Sequence, residues 1–376
     1  MKKNHLIQLS KFYKPYSGGL ESVVADIAEG VNGFKVSVLA ADPNNLTQSE
    51  IINNIEVIRS KEYFNFASTS FAPGYIIDLI KHSDNSILHV HLPNPLANIA
   101  LFLAFLGGQD LSQVVIHWHS DIIKQKYLLT LYKPLQSWLL KKAKVIIVTS
   151  QRYLDSSEPL MPYRDKCIVV PIGIDSIQPK VNENLVLSLK SKYRGKKIVF
   201  SLGRHIYYKG FEYLIEAARK VENSVFLIGG KGPDTHKYIS MIKEYNLEDR
   251  VKLIGRVEDE ELPSYYAAAD VFCFPSIEKS EAFGVVQLES MSVSTPVIST
   301  DIAGSGVPWV NKHGESGLVC EPKDVKSLAE ALNRVLNNNE LHKSLSKGAY
   351  LRYLKYFTKD KMINKTEQVY KDINQQ

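Results

Sequence analysis

The sequence predicts an α/β fold made of two doubly wound units with parallel sheets. Short β-branched runs alternate with longer helical patterns in the first half of the chain, which is typical of a parallel sheet covered by helices. A second series of the same kind begins at residue 197. Between the two series, residues 172–184 read IGIDSIQPKVNEN, a polar stretch with glycine and proline. This composition predicts a linker, so we place the domains at 1–178 and 179–357.

The predicted elements follow one another regularly. In the first half, the runs that predict strands are HLIQLS, FKVSVLA, IEVIRS, SILHVHL, VVIHWH, KVIIVTS and CIVVPI. In the second half they are KIVFSLG, SVFLIGG, RVKLIG, DVFCFPS and TPVIST, separated by helical segments such as GFEYLIEAARKV. From about residue 325 the pattern is helical, and no further strand is expected.

The composition narrows the class of protein. The 376 residues are 44% apolar, which is enough for two buried cores. The three cysteines lie far apart without a CxxC pair, so we expect no disulfide framework and a reducing cytoplasm. The net charge of +6 suits an anionic ligand or a membrane surface and does not demand nucleic acid. We expect no export signal, because the apolar run near the amino end breaks after a few residues. We expect no membrane span, because the longest apolar run, 96–108, is shorter than the roughly 20 residues a span needs.

Two cations follow the first strand of the second series, in the stretch SLGRHIYYKGFEYL. In open parallel sheets, ligands bind outside the carboxyl ends of the strands. Arg204 and Lys209 would lie there, and a guanidinium fork together with an ammonium group suits a diphosphate. A solvated basic loop would have the same sequence.

A glycine pair precedes the first predicted helix, in PYSGGLESVVADIAEGV. Gly18 and Gly19, after Ser17, would let the backbone approach a phosphate at the positive end of the helix. A tight turn before a helix would look the same, and GGxE is not the full dinucleotide fingerprint.

Two glutamates frame the stretch EKSEAFGVVQLE, residues 278–289. Glu281 would lie in the loop after a buried strand, and Glu289 in the helix that follows. The backbone amides of Phe283, Gly284 and Val285 would point toward an anion. Each carboxylate could accept hydroxyl donors, as a ribose or hexose offers. An exposed acidic helix start is the alternative.

Four histidines occur as alternating pairs at strand ends: His89 and His91, then His117 and His119. Alternation places each pair on one face of its strand. The four imidazoles would make a zinc site only if the pairs converged, which the sequence does not show. The other interpretation is that His119 reaches the ligand, to orient a hydroxyl or to support positive charge, while the others pack.

Residues 122–144 contain six lysines and no acidic residue, with apolar residues at helical spacing. This pattern predicts either a domain helix with a solvated lysine face or a helix that also contacts anionic lipid. Pro134 would kink it.

Six stretches in order resemble the retaining nucleotide-sugar glycosyltransferases of family 4: SGG, PIGID, GRHIYYKGFEYLIEAA, GRVEDEELPSYYAAADVFCFPS, EAFGVVQLE and GSGVPWVNKHGESGLVCEP. The resemblance covers nearly the whole chain. It implies a GT-B fold with two Rossmann-like domains facing across a cleft, the acceptor domain at 1–178 and the donor domain at 179–357. A helix at about 358–376 would pack back on the first domain. No metal or other cofactor is implied.

Site residues carry over from this resemblance and from the reasoning above. The catalytic set is Glu281, His119, Arg204 and Lys209. The donor-binding set is Gly18, Gly19, Arg204, Lys209, Arg256, Val257, Glu281, Phe283, Gly284, Val285 and Glu289. The resemblance implies that the two cations bind the diphosphate, that Glu281 holds the sugar and Glu289 the ribose, and that the base rests near Arg256. Ile172 in PIGID and His205 in GRH depart from the usual motifs.

The expected activity is hexose transfer from a nucleotide-diphosphate sugar, GDP-mannose first and a UDP-hexose next. The resemblance implies a glycan or polyprenyl-linked acceptor in O-antigen or capsule synthesis, at a cytoplasmic location with peripheral contact at the inner membrane through 122–144. No nucleic acid partner is expected. A nucleotide-sugar 2-epimerase of the same fold and a non-catalytic sugar-binding protein are the alternatives.

Overall fold

The structure is a computed structural model that describes residues 4–16, 18–44, 48–66, 69–122 and 126–375, without the side chains of residues 66 and 126–129. Contacts divide the chain into two units, Met1–Ile172 with Lys359–Gln376, and Gly173–Thr358. The chain therefore leaves the first unit earlier than the expected boundary at 178. The reason is local, because the backbone N–H of Ile174 donates to the carbonyl of Phe357 and Tyr353 donates to the carbonyl of Ile174.

The strands of the first unit are β1 (His5–Leu9), β2 (Lys35–Asp42), β3 (Gln48–Ile52), β4 (Ile55–Lys61), β5 (Phe64–Phe66), β6 (Thr69–Phe71), β7 (Ser86–Leu92), β8 (Val114–Trp118), β9 (Val145–Val148) and β10 (Cys167–Val169). Those of the second are β11 (Lys197–Leu202), β12 (Ser224–Gly229), β13 (Val251–Gly255), β14 (Val271–Phe274), β15 (Val297–Thr300) and β16 (Gly317–Cys320). Every predicted strand is present. The short strands β3, β5, β6 and β16 were not predicted from the sequence.

The helices are α1 (Gly19–Gly30), α2 (Pro73–His82), α3 (Pro95–Leu106), α4 (Lys126–Lys142), α5 (Gln151–Ser156), α6 (Glu183–Lys192), α7 (Phe211–Ala218), α8 (Thr235–Glu244), α9 (Leu262–Ala268), α10 (Val286–Ser292), α11 (Val307–Val310), α12 (Val325–Leu336), α13 (Asn339–Tyr356) and α14 (Lys359–Gln375). None of those in the described residues is both long and apolar enough to cross a bilayer.

The two large sheets share one topology. The first has the order β10-β9-β8-β7-β1-β2-β4-β3, with only β3 antiparallel, and the second has the order β13-β12-β11-β14-β15-β16. In each sheet the winding reverses beside the first strand, between β1 and β7 and between β11 and β14. A doubly wound sheet opens a crevice for a ligand at this switch point. The candidate residues should therefore lie in the loops that follow these four strands.

Helix α14 belongs to the first unit, where it packs on α1. Gly30 leaves room for it, because a Cβ at that position would lie 2.1 Å from Cδ1 of Ile363. Lys359 forms an ion pair with Asp26 at 3.4 Å. Through α14, the end of the chain becomes part of the first unit.

Candidate functional site

The loops that follow β11 and β14 meet at the switch point of the second unit. Gly210 has φ +69°, and a Cβ there would lie 2.0 Å from the carbonyl oxygen of Pro275, so only glycine allows the loops this close. The backbone N–H of Ile277 donates to the carbonyl of Tyr208 at 2.9 Å. The hydroxyl of Tyr207 donates to Glu278 at 2.6 Å. Hydrogen bonds thus hold the loop after β11 against the loop after β14.

Lys209 and Glu281 form an ion pair within this junction, with 2.5 Å between Nζ and Oε2. Their side chains are only 13% and 14% exposed. The Lys209 ammonium also lies 5.1 Å from the ring centroid of Phe274, a cation–π distance. The sequence placed both residues near the ligand without indicating that they bind each other.

Arg204 is the more accessible cation. Its side chain is exposed, and in the described part of the chain it has no hydrogen-bond or ion-pair partner. The adjacent His205 is buried, and its Nδ1 lies 2.9 Å from the hydroxyl of Thr235. Burial lowers the pKa of His205. The unusual histidine of GRH therefore anchors the Arg204 loop to the start of α8 and leaves the guanidinium free to meet a ligand.

The segment before α10 offers backbone rather than side chains. Phe283 is buried against Trp309 and Phe357, and Gly284 has φ +77° with Phe274 2.7 Å from where its Cβ would stand. Glycine at 284 thus permits packing on β14. Within the described chain, the amides of Phe283, Gly284 and Val285 donate to no protein acceptor. Because α10 has only seven residues, these amides matter more than a helix dipole.

Ser305 holds the same loop from behind. Its hydroxyl donates to the carbonyl of Glu281 at 2.5 Å, and the N–H of Gly306 donates to the carbonyl of Ala282 at 2.8 Å. The sequence had marked the GSG motif only as part of the family pattern. In the structure, this motif fixes the main chain that carries Glu281.

Glu289 lies on α10 and accepts a hydrogen bond from the hydroxyl of Tyr266 at 2.7 Å. Burial raises the pKa of Glu289, the Tyr266 hydrogen bond opposes the rise, and Asp259 adds to it. No cation among the described residues pairs with Glu289. Glu289 is half-buried, and a partly desolvated carboxylate without a cation costs stability and is typical of a binding residue.

We expect Glu289→Gln to stabilise the fold at pH 7, because it keeps an acceptor for Tyr266 and removes a half-buried charge. A raised pKa in the folded state means that the free energy of unfolding falls as pH rises above the ordinary value of 4.5. The advantage of the variant should therefore shrink as pH drops toward 4.5. Urea denaturation at both pH values measures it, with the exposed Glu248→Gln as control. A variant less stable than the native protein at pH 7 would contradict this reasoning.

The loop after β13 carries Arg256 and Val257. Arg256 is exposed, with its Nε 3.9 Å from Glu258, a weak surface pair. Val257 is 9% exposed and lies beside Gly229, and the N–H of Gly230 donates to the carbonyl of Gly255 at 2.6 Å. The backbone of this loop is therefore fixed to the end of β12.

In the first unit, Gly18 and Gly19 begin α1, next to the switch point between β1 and β7. Ser17 lies outside the described residues. A Cβ at Gly18 would lie 2.3 Å from a carboxylate oxygen of Glu21, whereas Gly19 faces open space. An anion at this helix start would meet the Glu21 carboxylate, so the side chain would have to move away first.

The two histidine pairs converge, which the sequence alone did not show. His91 and His117 are directly opposed in the pairing of β7 with β8. The rings are stacked, at 5.2 Å between His91 and His117 and 4.2 Å between His117 and His119. Burial and the neighbouring imidazoles lower the pKa of His89, His91 and His117 well below 6.5.

Three of these histidines, His89, His91 and His117, place ring nitrogens within 4.8 Å of one another. Distance alone would admit a metal ion. However, both nitrogens of His91 are already hydrogen-bonded, and the stacked rings of His89 and His117 are inclined by only 8°. Parallel rings do not aim their lone pairs at one point, as zinc ligands do. The absence of a metal therefore remains our prediction.

His119 is partly exposed, and burial lowers its pKa to about 3. Its ring is therefore uncharged at pH 7, which favours the role of orienting a hydroxyl over that of supporting charge. Asp121, two residues on, accepts hydrogen bonds from Trp118 at 3.0 Å and Ser157 at 2.6 Å. That carboxylate fixes the loop after β8.

The basic stretch 122–144 forms α4 from Lys126 on, while residues 123–125 lie outside the described chain. Leu139 is buried and Pro134 lies within the helix. Leu131 is 81% exposed. Helix α4 therefore packs as a helix of the first unit, as the first interpretation expected, and its contact with lipid remains a prediction.

Known proteins resemble this chain in sequence. The family model described as Glycosyltransferase Family 4 matches residues 17–177, and that of the glycosyl transferases group 1 matches residues 189–352. O-antigen chain mannosyltransferase C of Escherichia coli is 30% identical over 356 residues, 94% of each chain. D-rhamnosyltransferase WbpZ of Pseudomonas aeruginosa is 28% identical over 361 residues, 92% of this chain and 91% of the relative.

Solved structures agree on the fold. The structure of HepE of Anabaena in complex with UDP has a TM-score of 0.80 at 19% identity. The match covers 98% of this chain and 100% of the HepE chain. Sucrose-phosphate synthase of Thermosynechococcus elongatus has a TM-score of 0.78 at 21% identity, covering 98% and 99%. The fold is therefore GT-B, and the protein is a glycosyltransferase. It belongs to glycosyltransferase family 4.

Proposed function

We propose that this enzyme moves a hexose, with retention, from a nucleotide-diphosphate sugar to a glycan or polyprenyl-linked acceptor in O-antigen or capsule synthesis. GDP-mannose is the first donor to test and a UDP-hexose the second. The observation that carries the proposal is the ion pair of Lys209 with Glu281 at the switch point of the second sheet, where the loop that carries Lys209 also exposes Arg204. The names of the two relatives, a mannosyltransferase and a rhamnosyltransferase, support a hexose and an O-antigen setting.

The chemistry requires that negative charge on the departing diphosphate be stabilised while the anomeric carbon gains positive charge. Arg204 supplies an unpaired guanidinium, and the amides of Phe283, Gly284 and Val285 supply neutral donors. Lys209 adds a second cation whose position is fixed by Glu281. These groups would stabilise the leaving group without a metal ion.

The carboxylates have separate roles in the proposal. Glu281 accepts hydroxyl donors from the sugar, and its ion pair with Lys209 holds the carboxylate in place. Glu289 accepts the ribose hydroxyls, for which a poorly compensated carboxylate is a strong acceptor. Backbone of Arg256 and Val257 contacts the base, and the amides of Gly18 and Gly19 contact the phosphates.

The decisive experiment incubates the purified protein with GDP-mannose, UDP-glucose or a dTDP-sugar, with and without a polyprenyl-linked glycan acceptor. Transfer from one donor, with an α linkage in the proton NMR spectrum of the product, is expected. A β linkage from an α donor would contradict retention. Conversion of the donor without acceptor would identify the epimerase instead, and binding without turnover would identify a sugar-binding protein.

We further propose that α3 and α4 contact an anionic membrane surface. Helix α3 has no charged residue, yet Ile99, Leu103 and Leu106 are 41%, 41% and 64% exposed. Apolar residues on every side of a helix belong in a protein interior or against lipid. The adjacent α4 has no acidic residue, and the ammonium of Lys142 lies 4.1 Å from the ring centroid of Phe105 on α3. Anionic headgroups complement this charge.

We expect Leu106→Glu to weaken binding to phosphatidylglycerol vesicles by about tenfold or more, the free energy of burying one leucine. Leu187→Glu on α6 is the matched control, because Leu187 is 65% exposed and Leu106 is 64% exposed. Cosedimentation measures both. Equal binding to neutral phosphatidylcholine vesicles, or equal loss in the control, would contradict the proposal.

A further inference from the structure

A continuous hydrogen-bond chain runs beneath His119 to the last helix of the protein. Nε2 of His119 lies 3.0 Å from Nδ1 of His91, and Nε2 of His91 lies 2.7 Å from Oε1 of Gln8 on β1. The amide nitrogen of Gln8 donates to the hydroxyl of Tyr370 on α14 at 3.2 Å. That hydroxyl lies 2.5 Å from Nδ1 of His89. Apart from His119, all these side chains are fully buried.

The chain of bonds has one direction. The imidazoles are neutral at pH 7, since burial lowers every histidine pKa in the group, and a neutral imidazole carries one N–H. Oε1 of Gln8 only accepts, so Nε2 of His91 bears the proton. Nδ1 of His91 is then an acceptor, and Nε2 of His119 must donate to it. The lone pair of His119 is therefore on Nδ1.

We infer that Gln8, His91 and Tyr370 are positioning residues that hold His119 as the Nε2–H tautomer and present Nδ1 to the ligand as a hydrogen-bond acceptor. The inference rests on the proposed function and on the expectation that His119 reaches the ligand to orient a hydroxyl. A hydroxyl group suits this acceptor, whereas a phosphate oxygen does not.

Helix α14 takes part because Tyr370 completes the chain. Gln8 could turn its amide over without Tyr370, since nothing else among the described residues accepts from its nitrogen. Turning it would put an N–H toward His91 and reverse every bond up to His119. In the observed orientation the amide nitrogen of Gln8 donates to the hydroxyl of Tyr370, which leaves the proton of that hydroxyl for Nδ1 of His89. Tyr370, near the carboxyl end of the sequence, thereby influences which ring nitrogen of His119 carries the proton.

The test reads the tautomer directly. With the full-length protein labelled with ¹⁵N-histidine, long-range ¹H–¹⁵N spectra distinguish protonated from bare ring nitrogens, and His119→Gln assigns the His119 signals. The native protein should show His119 with its proton on Nε2 alone. Gln8→Met removes the acceptor that fixes His91, so His119 should populate both tautomers. Tyr370→Phe, which deletes one oxygen atom, should produce the same mixture to a smaller extent.

Gln113→Met is the matched control. The amide nitrogen of Gln113 also donates a hydrogen bond to α14, to the carbonyl of Ile373 at 3.4 Å, but Gln113 is not part of the hydrogen-bond chain that leads to His119. It should leave the His119 tautomer unchanged. Turnover at saturating donor should fall about threefold to tenfold in Gln8→Met, the effect of one misdirected hydrogen bond, and stay constant in the control.

The inference fails if the native protein carries the proton on Nδ1 of His119, or if both Gln8→Met and Tyr370→Phe leave its tautomer unaltered. The spectra are recorded without donor, so they stand even if no sugar transfer is found. Conversely, a transferase with an unchanged tautomer in both variants would retain the proposed function and lose only this inference.

Discussion

Arg204→Ala should lower turnover by about a hundredfold or more while leaving the melting temperature almost unchanged. Removal of one fixed group that stabilises transition-state charge costs this much in other enzymes. Arg204 is exposed and, within the described chain, makes no bond to another side chain, so its loss disturbs no internal contact. Steady-state kinetics and thermal melting measure the two quantities.

Two further variants sharpen this test. Arg204→Lys keeps the charge and loses the planar donor fork, so we expect it to recover part of the activity and remain roughly tenfold below the native enzyme. Arg194→Ala removes another exposed arginine of the same unit, outside the switch point, and should be neutral. Near-normal turnover of Arg204→Ala would remove this residue from the site.

The position of Arg204 follows from topology. Both sheets reverse their winding beside their first strand, and Arg204, Lys209 and Glu281 come from loops at the reversal of the second sheet. His119 instead follows β8, and Arg256 follows the edge strand β13. In the first unit, Gly18 begins the helix that follows β1. These loops project beyond packed strands, so their side chains can change without disturbing the cores.

Much of this architecture was predictable from the sequence. The β-branched runs gave every long strand, because a parallel strand buried on both faces has an uninterrupted apolar pattern. Strand β3 escaped prediction because it lies at the sheet edge and its residues QSEII are mostly exposed. The β5–β6 hairpin and β16 are only three or four residues long. Length alone did not hide them, because β9, β10, β14 and β15 are equally short and were predicted from longer apolar runs around them. The segments FNF, TSF and GLVC lie in no such run, so their pairing depends on their neighbours.

The site was less predictable. Glu281 and Lys209 were each assigned from their motifs, but their ion pair depends on how two loops 72 residues apart meet. The sequence did not indicate that Tyr266 bonds to Glu289, because Tyr266 is one of several aromatic residues in an ordinary helical pattern. The histidines could be paired along each strand, whereas the pairing between strands depends on the register of β7 with β8. Tyr370 lies 281 residues from His89, beyond any local pattern.

The ion pair between Lys209 and Glu281 leads to the second large prediction. Lys209→Ala should lower turnover about a hundredfold, because it removes a cation at the diphosphate. It should also lower the free energy of unfolding by about 2 to 3 kcal/mol. A fully buried carboxylate left without its cation costs roughly 3 to 5 kcal/mol, and the 14% exposure of Glu281 reduces this. Glu281→Ala should reduce turnover comparably, whereas Glu289→Ala should mainly weaken donor binding.

The double variant Lys209→Met/Glu281→Gln separates the two roles of this pair. It removes both charges and keeps side chains of similar volume, so most of the lost stability should return, because an apolar replacement of a buried pair is often neutral. Turnover should not return, because neither the diphosphate cation nor the charged acceptor of the sugar hydroxyls is restored. Chemical denaturation and initial rates on the same preparations decide the matter. If activity recovered together with stability, the pair would be a structural fastening between two loops, and the diphosphate would depend on Arg204 and the backbone amides alone.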